Sequence, residues 1–302
     1  MSLLQVENLS VSFGARRVVE GALHGLHHSP VHGLSIEFSE HRQYSPGDEL
    51  KRLDWRVIAR SDRYVVKEYE QETNLRAIIV LDRSRSMAYG RTTILEEEGL
   101  HGSKYEYARV LAAALAHVLL DQGDSVGLIL STDRITHQVP PKGAPGHLLS
   151  ICRALLAVRP ADRTDLRAAL SQLAAGLNRR SLIVLVSDLL DEPESVISAL
   201  GQMHHRGHEV IVFQVLDPME LHFDVGRSSG GRTVVRDMET GGEFESEPHL
   251  VQDLVRAEIA RFLESLDAGA RRFGIHLVRC GTDKPVERVL TEYLRGRPRA
   301  RR

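Results

Sequence analysis

Oxygen-bearing side chains recur at alternate positions directly after an apolar run in the first third of the chain. Residues 76–87 read R-A-I-I-V-L-D-R-S-R-S-M, so that Asp82, Ser84 and Ser86 stand at positions i, i+2 and i+4. One carboxylate and two hydroxyls on a tight loop are hard oxygen donors, which suit Mg²⁺ or a similar small cation that keeps several waters. The spacing therefore predicts part of a divalent-ion site.

The same three residues have a simpler interpretation, because Asp and Ser often cap helices and shape turns. A metal site needs further ligands, and two side chains elsewhere qualify. Thr164 lies in R-T-D-L just before an apolar helical pattern, and Asp188 follows the apolar run L-I-V-L-V-S. The candidate metal ligands are therefore Asp82, Ser84, Ser86, Thr164 and Asp188.

These ligands can converge only if the elements before them share one edge of a sheet. The run Ala77–Leu81 is short, rich in β-branched residues and bounded by polar ones, which is typical of a strand buried on both faces of a parallel sheet. Strands are predicted over 77–81, 125–130, 135–139, 181–187, 209–216 and 274–279, and helices over 103–121, 145–158, 165–177, 193–205, 248–272 and 285–294. This alternation predicts an α/β fold with a doubly wound, mostly parallel sheet, in which ligands bind at the carboxyl ends of strands.

Two segments depart from the alternation. Residues 135–139 are predicted to form an antiparallel edge strand that Pro140 and Pro141 end, since proline cannot donate to a ladder. Residues 219–248 are rich in glycine turns and predict one or two hairpins inserted into the main unit. Neither a G-x-G-x-x-G after the first strand nor a G-x-x-x-x-G-K-[ST] occurs, so nucleotide binding has no motif to rest on.

The ligand pattern resembles the metal-ion-dependent adhesion site of von Willebrand factor A-type domains. Such a site combines Asp82-x-Ser84-x-Ser86 with a Thr at a loop-to-helix junction and an Asp at a strand end. The resemblance implies that Ser84, Ser86 and Thr164 touch the cation, while Asp82 and Asp188 hold its waters. It also implies Mg²⁺ as the ion, with Mn²⁺ or Ca²⁺ as alternatives, and a partner protein whose carboxylate completes the shell.

A second resemblance rests on residues 44–60, Y-S-P-G-D-E-L-K-R-L-D-W-R-V-I-A-R, followed by V-K-E-Y-E and the D-R-S-R-S-M loop. This series resembles the DUF58 family of bacterial proteins, from about Gly21 to the last helix. The resemblance implies an N-terminal signature segment, partly β, over 1–73, and a von Willebrand A-like domain over 74–296 with a hairpin insertion at about 219–247. A basic tail then covers 297–302.

The DUF58 resemblance also implies a biological setting. Members are generally encoded beside MoxR-type AAA+ ATPases and are thought to act with them in chaperone-like assembly or metal insertion. A MoxR-type AAA+ ATPase is therefore the expected partner.

The residues that match the DUF58 signature are Arg42, Tyr44, Pro46, Gly47, Asp48, Asp54, Trp55, Arg56 and Arg60. Two interpretations of them stay open. Arg and Asp alternating around Trp55 favour a hydrogen-bonded ion network that holds the N-terminal segment on the main domain. Exposed Trp and Arg are also enriched at interfaces, so that all of these residues except Pro46 and Gly47 are candidates for partner binding.

Composition narrows the classes of function. The formal net charge is −2, which leaves no excess of Lys and Arg to cover a phosphate backbone and argues against a nucleic-acid binder. Cys152 and Cys280 lie outside any C-x-x-C pair and are predicted core residues of a protein in a reducing compartment. No apolar stretch is long enough to cross a bilayer, so we expect a cytoplasmic protein whose membrane contact, if any, comes through partners.

Two hypotheses of function follow. The first is a non-catalytic, metal-dependent protein-binding module. The second is a metal-dependent hydrolase that uses the same ion to polarise a phosphoryl or carbonyl oxygen. The first is preferred because the nearby acids Asp165 and Asp191 are predicted helix caps rather than general bases.

Overall fold

The computed structural model describes residues 41–43, 65–67, 75–90, 102–160, 165–190, 193–223, 233–236, 243–246 and 248–296. Its strands are β1 His41–Gln43, β2 Val65–Lys67, β3 Arg76–Asp82, β4 Ser125–Ser131, β5 Ile135–Lys142, β6 Leu182–Ser187, β7 Glu209–Leu216, β8 Thr233–Arg236, β9 Glu243–Ser246 and β10 His276–Gly281. Its helices are α1 Lys104–Asp121, α2 His147–Ala157, α3 Leu166–Gly176, α4 Pro193–His205, α5 Pro218–His222, α6 Pro248–Phe273 and α7 Val286–Gly296. A 3-10 turn covers Arg85–Ala88.

The main sheet has six strands in the order β10-β7-β6-β3-β4-β5. All neighbours are parallel except β5, which runs antiparallel to β4. Counted along the chain, these six strands have the doubly wound order 3-2-1-4-5-6, in which the direction of winding reverses between β3 and β6. The predicted α/β class and the mostly parallel sheet are therefore confirmed.

Helices cover both faces of this sheet. Ile79 and Leu81 of β3 belong to a core shared with α1, α2 and α7, and Ile78 and Val80 belong to a second core shared with α3, α4 and α6. Because successive side chains of a strand point to opposite faces, a strand buried on both sides must be apolar at every position. This explains the unbroken apolar run that precedes Asp82. Both cysteines are buried, which confirms their prediction as core residues.

The edge strand β5 corrects one prediction. It does not end at Pro140 and Pro141 but continues to Lys142. The register with β4 shifts between Val126 and Leu128, so that the two prolines lie in an irregular part of the pairing. An edge strand has a ladder neighbour on one side only, and a bulge there accepts residues that cannot donate a backbone hydrogen bond.

The segment after β7 corrects a second prediction, that of hairpins from residue 219 onward. It begins with the short helix α5 and not with a hairpin, because Asp217 and Glu220 form a capping box around its first turn. The predicted hairpin follows, as β8 and β9 form a separate antiparallel two-stranded sheet. In the N-terminal segment, β1 pairs antiparallel with β2.

Several helix boundaries agree with the sequence patterns. α1 starts directly after Ser103, whose side chain accepts a hydrogen bond from the Glu106 amide, and ends at Asp121 as predicted. α4 covers the predicted residues 193–205. No helix in the described ranges combines the length and apolar character needed to cross a membrane.

Candidate metal centre

The candidate ligands lie at the point where the sheet reverses its winding. Asp82 is the last residue of β3, and Asp188 directly follows β6, the strand hydrogen-bonded to β3. In doubly wound sheets the helices on either side diverge here, which leaves a crevice at the carboxyl ends of the strands. Both acids are buried, each with 2% of its surface exposed.

Local hydrogen bonds arrange the loop after β3. Asp82 Oδ1 accepts from the Ser84 amide at 2.9 Å, which folds the chain back towards the strand end. The hydroxyls of Ser84 and Ser86 are 2.9 Å apart and hydrogen-bonded to each other. The first three candidate ligands are therefore brought together on one turn, as their alternate spacing predicts.

Asp82 has a second partner that the sequence reasoning missed. Its Oδ2 accepts a 2.7 Å hydrogen bond from the Ser187 hydroxyl on β6. The Ser187 Oγ in turn accepts from the amide of Leu189, so it links the two strand ends. The sequence contained a signal for this contact. Successive side chains of a strand point to opposite faces, so Ser187 lies on the face opposite Val186 and level with Asp82.

Asp188 is held from three directions. Its Oδ1 accepts from the Leu190 amide at 3.3 Å, and its backbone carbonyl accepts from Gln214 Nε2 at 3.2 Å. Its Oδ2 accepts from Lys104 Nζ at 2.7 Å. Leu189, next in the chain, has a φ of 57°, a left-handed conformation that costs free energy for a residue with a β-carbon. The loop after β6 is thus fixed around Asp188 despite local strain.

Two neighbouring buried carboxylates create an electrostatic problem. Burial, together with the charge of Asp188, raises the pKa of Asp82 to about 7, against the opposing effect of its hydrogen bonds from Ser187 and Ser84. A divalent cation between the two carboxylates would remove this repulsion.

Lys104 is the main residue of the site that sequence reasoning missed. It is the first residue of α1, has no exposed surface and also contacts Glu220 Oε1 at 2.5 Å. Burial alone would lower its pKa, but Asp188 and Glu220 reverse that effect and raise the pKa above the usual lysine value. The signal in the sequence was a lysine at a helix N-terminus, where the helix dipole disfavours a cation.

The donor set fits a small hard cation. The described candidates supply carboxylate and hydroxyl oxygens, and within the described ranges no group of three or more His, Cys, Asp or Glu side chains forms a metal site by itself. The hydroxyl of Ser131, which is paired in register with Asp82 on β4, is buried without a hydrogen-bond partner. A crevice of oxygen donors with few carboxylates suits an ion that keeps several waters, as Mg²⁺ does.

Most of the remaining predicted site residues lie outside the part of the chain that the structure describes. Thr164 lies outside the described residues, and its role as a ligand stays a prediction. The next residue, Asp165, caps α3 by accepting from the Ala168 amide at 2.8 Å, which confirms its assignment as a cap. Of the signature residues, Arg42 lies on β1, paired in register with Val66. Tyr44, Asp48, Asp54, Trp55, Arg56 and Arg60 lie outside the described residues, as does Asp191.

Comparison with known families decides the family of this chain. The protein-family model described as "Protein of unknown function DUF58" matches residues 40–267. The chain belongs to the DUF58 family. Uncharacterised proteins of Mycobacterium tuberculosis and Mycobacterium bovis are 30% identical to this DUF58 protein over 250 residues, which cover 81% of this chain and 74% of the relatives.

Solved structures that align with most of this chain include BatB from Bacteroides thetaiotaomicron, with a TM-score of 0.46 and 18% identity over 73% of this chain and 97% of BatB. The SpRpn10 VWA domain has a TM-score of 0.42 and 13% identity over 72% of this chain and 93% of that domain. The DUF58 chain has a doubly wound α/β fold, with its sheet in the 3-2-1-4-5-6 order and β5 antiparallel.

Proposed function

We propose that this DUF58 protein is a non-catalytic, metal-dependent protein-binding module. The observation that carries the proposal is the pair of buried carboxylates, Asp82 and Asp188, beside the hydroxyls of Ser84 and Ser86 at the reversal point of the sheet. Lys104 compensates the charge of Asp188, but Asp82 receives hydrogen bonds from neutral groups only, and a buried carboxylate is costly without a cation nearby. The collection of these side chains at the crevice where ligands of doubly wound sheets bind supports a divalent-ion site.

Each residue has a distinct part in the proposal. Ser84, Ser86 and Thr164 would touch the ion, and Asp82 and Asp188 would hold it through water. A bound divalent ion supplies a Lewis-acid position that accepts a carboxylate oxygen of another protein. With few charged ligands from this chain, such a position retains positive charge, which favours an acidic side chain from the partner.

The proposed partner is a MoxR-type AAA+ ATPase, and the proposed setting is chaperone-like assembly or metal insertion. Membership of the DUF58 family supports this, since the family is generally encoded beside such ATPases. The signature residues Arg42, Tyr44, Asp48, Asp54, Trp55, Arg56 and Arg60 are candidates for a second contact with the same partner.

A metal-dependent hydrolase is the second candidate, and one observation favours it. A carboxyl group with a pKa of about 7, as at Asp82, has the proton affinity that a general base needs at neutral pH. A divalent ion beside Asp82 would lower this pKa, however, and both oxygens of Asp82 already accept hydrogen bonds from Ser84 and Ser187, so Asp82 is poorly placed to take a proton from substrate.

Calorimetric titration of the purified protein with Mg²⁺ tests the metal site. We expect Asp82→Ala to abolish measurable binding with little loss of folding, because Asp82 lies at a strand end outside the two apolar cores. Asp121→Ala is the matched control, since Asp121 is exposed at the opposite end of α1. Equal Mg²⁺ affinity in wild type and Asp82→Ala would remove Asp82 from the site.

The two candidate functions separate in two further assays. A purified MoxR-type ATPase encoded beside the gene should be captured in Mg²⁺ and released in EDTA, and Asp82→Ala should fail to capture it. Turnover of phosphoester or ester substrates with Mg²⁺ or Mn²⁺ that is lost in Asp82→Ala would instead support the hydrolase. Capture that is unchanged by EDTA would contradict a metal-dependent interaction.

A further inference from the structure

Lys104 is an unusual residue for a buried position. Among the lysines and arginines in the described part of the chain, it alone is buried, with 0% of its surface exposed. Its ammonium contacts Asp188 at 2.7 Å and Glu220 at 2.5 Å, and the centroid of the Tyr89 ring lies 5.9 Å away. The contact with Asp188 places a positive charge inside the candidate metal centre.

The backbone holds this lysine firmly in place. Ser103 caps α1 directly before it, and the Lys104 amide donates to the Tyr89 carbonyl at 2.9 Å. The side chain starts at the N-terminus of a helix of 18 residues, where the helix dipole repels a cation. A lysine at this position is therefore disfavoured both by the helix dipole and by the cost of burying its charge.

Stability alone does not account for such a placement. Buried ion pairs are often no more stabilising than apolar side chains of similar volume, because desolvation of the charges offsets their attraction. Departures from local preference are typical of functional positions. The ammonium is better explained by what it does to the carboxylates that it touches.

Glu220 connects the lysine to another part of the molecule. It lies on α5, where its Oε2 accepts from the Asp217 amide at 2.9 Å while its Oε1 receives the Lys104 ammonium. α5 is the first element of the segment that leads to the β8–β9 hairpin. A single ammonium thus joins a candidate metal ligand to the beginning of the insertion.

We propose that Lys104 is a positioning residue that competes with the divalent ion for Asp188, and that Glu220 sets the strength of this competition. The inference rests on the proposed metal site and adds a regulatory element to it. While Glu220 shares the ammonium, Asp188 is only partly neutralised and attracts the ion. When Glu220 moves away, the ammonium pairs with Asp188 alone, and the attraction between Asp188 and the divalent ion weakens. Movement of α5 by a bound protein would therefore change the affinity for metal.

Calorimetric titration with Mg²⁺ of four proteins tests the inference: wild type, Lys104→Met, Glu220→Gln and the double variant. Lys104→Met keeps the length of the side chain and removes its charge, so we expect about tenfold tighter Mg²⁺ binding from the added negative charge. Glu220→Gln should weaken binding about threefold, since Lys104 then pairs with Asp188 alone. In the Lys104→Met background the same Glu220→Gln change should have a clearly smaller effect. Lys142→Met, at the exposed end of β5, is the matched control and should bind like wild type.

Melting temperatures with and without Mg²⁺ give an independent readout. Without metal, Lys104→Met should melt below wild type because Asp188 and Glu220 lose their counter-charge, and Mg²⁺ should raise its melting temperature more than that of wild type. A merely structural lysine would lower the melting temperature of the variant without tightening its metal binding.

Every outcome distinguishes the inference from the proposed function. Equal or weaker Mg²⁺ binding by Lys104→Met, with binding by wild type, overturns the inference and leaves the metal site standing. Binding by Lys104→Met but not by wild type supports the inference and refutes metal loading of the native chain. No binding by either protein overturns both. If Lys104→Met fails to fold, Glu220→Gln decides, and binding by that variant as tight as wild type overturns the inference.

Discussion

A carboxyl group beside another buried carboxylate holds its proton more tightly than an exposed one, and Asp82 is in this position. Burial and the charge of Asp188 raise the pKa of Asp82 from the usual aspartate value of 3.8 to about 7. Lys104 compensates Asp188 directly, whereas Asp82 receives hydrogen bonds from the neutral groups of Ser84 and Ser187. The acid without an ammonium partner therefore titrates near neutral pH.

This assignment predicts how stability depends on pH in the absence of metal. Between pH 4 and 7 the folded protein holds a proton on Asp82 that the unfolded chain has lost. The free energy of unfolding should therefore fall as pH rises through this window, and level off above the folded pKa, by a few kcal/mol in all. Urea unfolding in EDTA at several pH values measures this dependence of the free energy of unfolding on pH.

Asp82→Asn is the control for this prediction, because it keeps the shape of the side chain and cannot titrate. Its stability should lack the fall between pH 4 and 7. Asp188→Asn removes the neighbouring charge and should move the fall to lower pH. A wild-type profile identical to that of Asp82→Asn would show that Asp82 titrates at its usual pKa.

Sequence spacing was sufficient to predict which polar residues meet at the crevice when they are close together in the chain or end a strand, and their role as metal ligands stays a prediction. Asp82, Ser84 and Ser86 were found from their alternation, and Asp188 from its place after a buried strand. Lys104 was missed because its partners Asp188 and Glu220 are 84 and 116 residues away, and its place at a helix N-terminus is a weak local sign that does not reveal burial. Contacts of this kind depend on the topology of the sheet, which periodicity does not specify in detail.

Among the elements, periodicity predicted the central strands and most helices, and failed at the edges. Buried strands such as β6 and β7 are mostly apolar runs, interrupted in β7 by Gln214, so their limits are clear in the sequence. β5 was predicted too short because an edge strand accepts Pro140 and Pro141 at an irregular pairing. α5 was predicted as part of a hairpin because the segment is rich in glycine turns, and the capping-box pattern of Asp217 and Glu220 was not recognised in the sequence.

The edge pairing of β5 leads to a prediction for Gly127 on β4. A Cβ at this position would lie 2.8 Å from Pro141 Cγ and 3.0 Å from its Cδ and N. The proline ring is rigid and its nitrogen belongs to the backbone, so the contact cannot be relieved by a side-chain rotation. We expect Gly127→Ala to lower the free energy of unfolding by about 1–3 kcal/mol, measured by urea denaturation.

Gly176→Ala is the matched control, because no atom lies within 4 Å of a Cβ built at Gly176 at the end of α3. We expect it to be neutral or to stabilise by up to about 1 kcal/mol, since alanine is the better helix former. Wild-type stability in Gly127→Ala would mean that β5 moves away from β4 at little cost, and that the close approach of Pro141 is not required.

At the scale of the whole molecule, polar side chains cross the sheet at the level of the metal centre. The strand pairings place the following residues in one row from β4 to β10: Ser131, Asp82, Ser187, Gln214 and Arg279. The row ends in an ion pair between Arg279 and Asp267 of α6 at 2.7 Å. Within the row Asp82 accepts a hydrogen bond from Ser187, and Gln214 accepts one from Arg279, whereas the hydroxyl of Ser131 has no partner among the described residues. A substitution in the middle of the row should therefore be felt at the metal centre.

Gln214 is the residue that tests this dependence. It has no exposed surface, donates to the carbonyl of Asp188 at 3.2 Å and accepts from Arg279 Nε at 3.2 Å. Gln214→Leu has a similar volume and leaves both partners without these bonds, which should lower the free energy of unfolding by about 1–3 kcal/mol. Because Gln214 fixes the backbone of a candidate ligand, Mg²⁺ affinity should also fall, by roughly tenfold.

The matched substitution is Gln172→Leu, which removes a hydrogen bond to the Ile135 amide at an exposed site and should change neither quantity appreciably. Urea denaturation and Mg²⁺ titration of both variants separate the effect on the free energy of unfolding from the effect on Mg²⁺ affinity. A Gln214→Leu protein that is less stable but binds Mg²⁺ with wild-type affinity would limit the role of the row to stability. The loop that carries Asp188 would then be held by its own hydrogen bonds, from Leu190 to Asp188 Oδ1 and from Leu189 to Ser187, and not by the rest of the sheet.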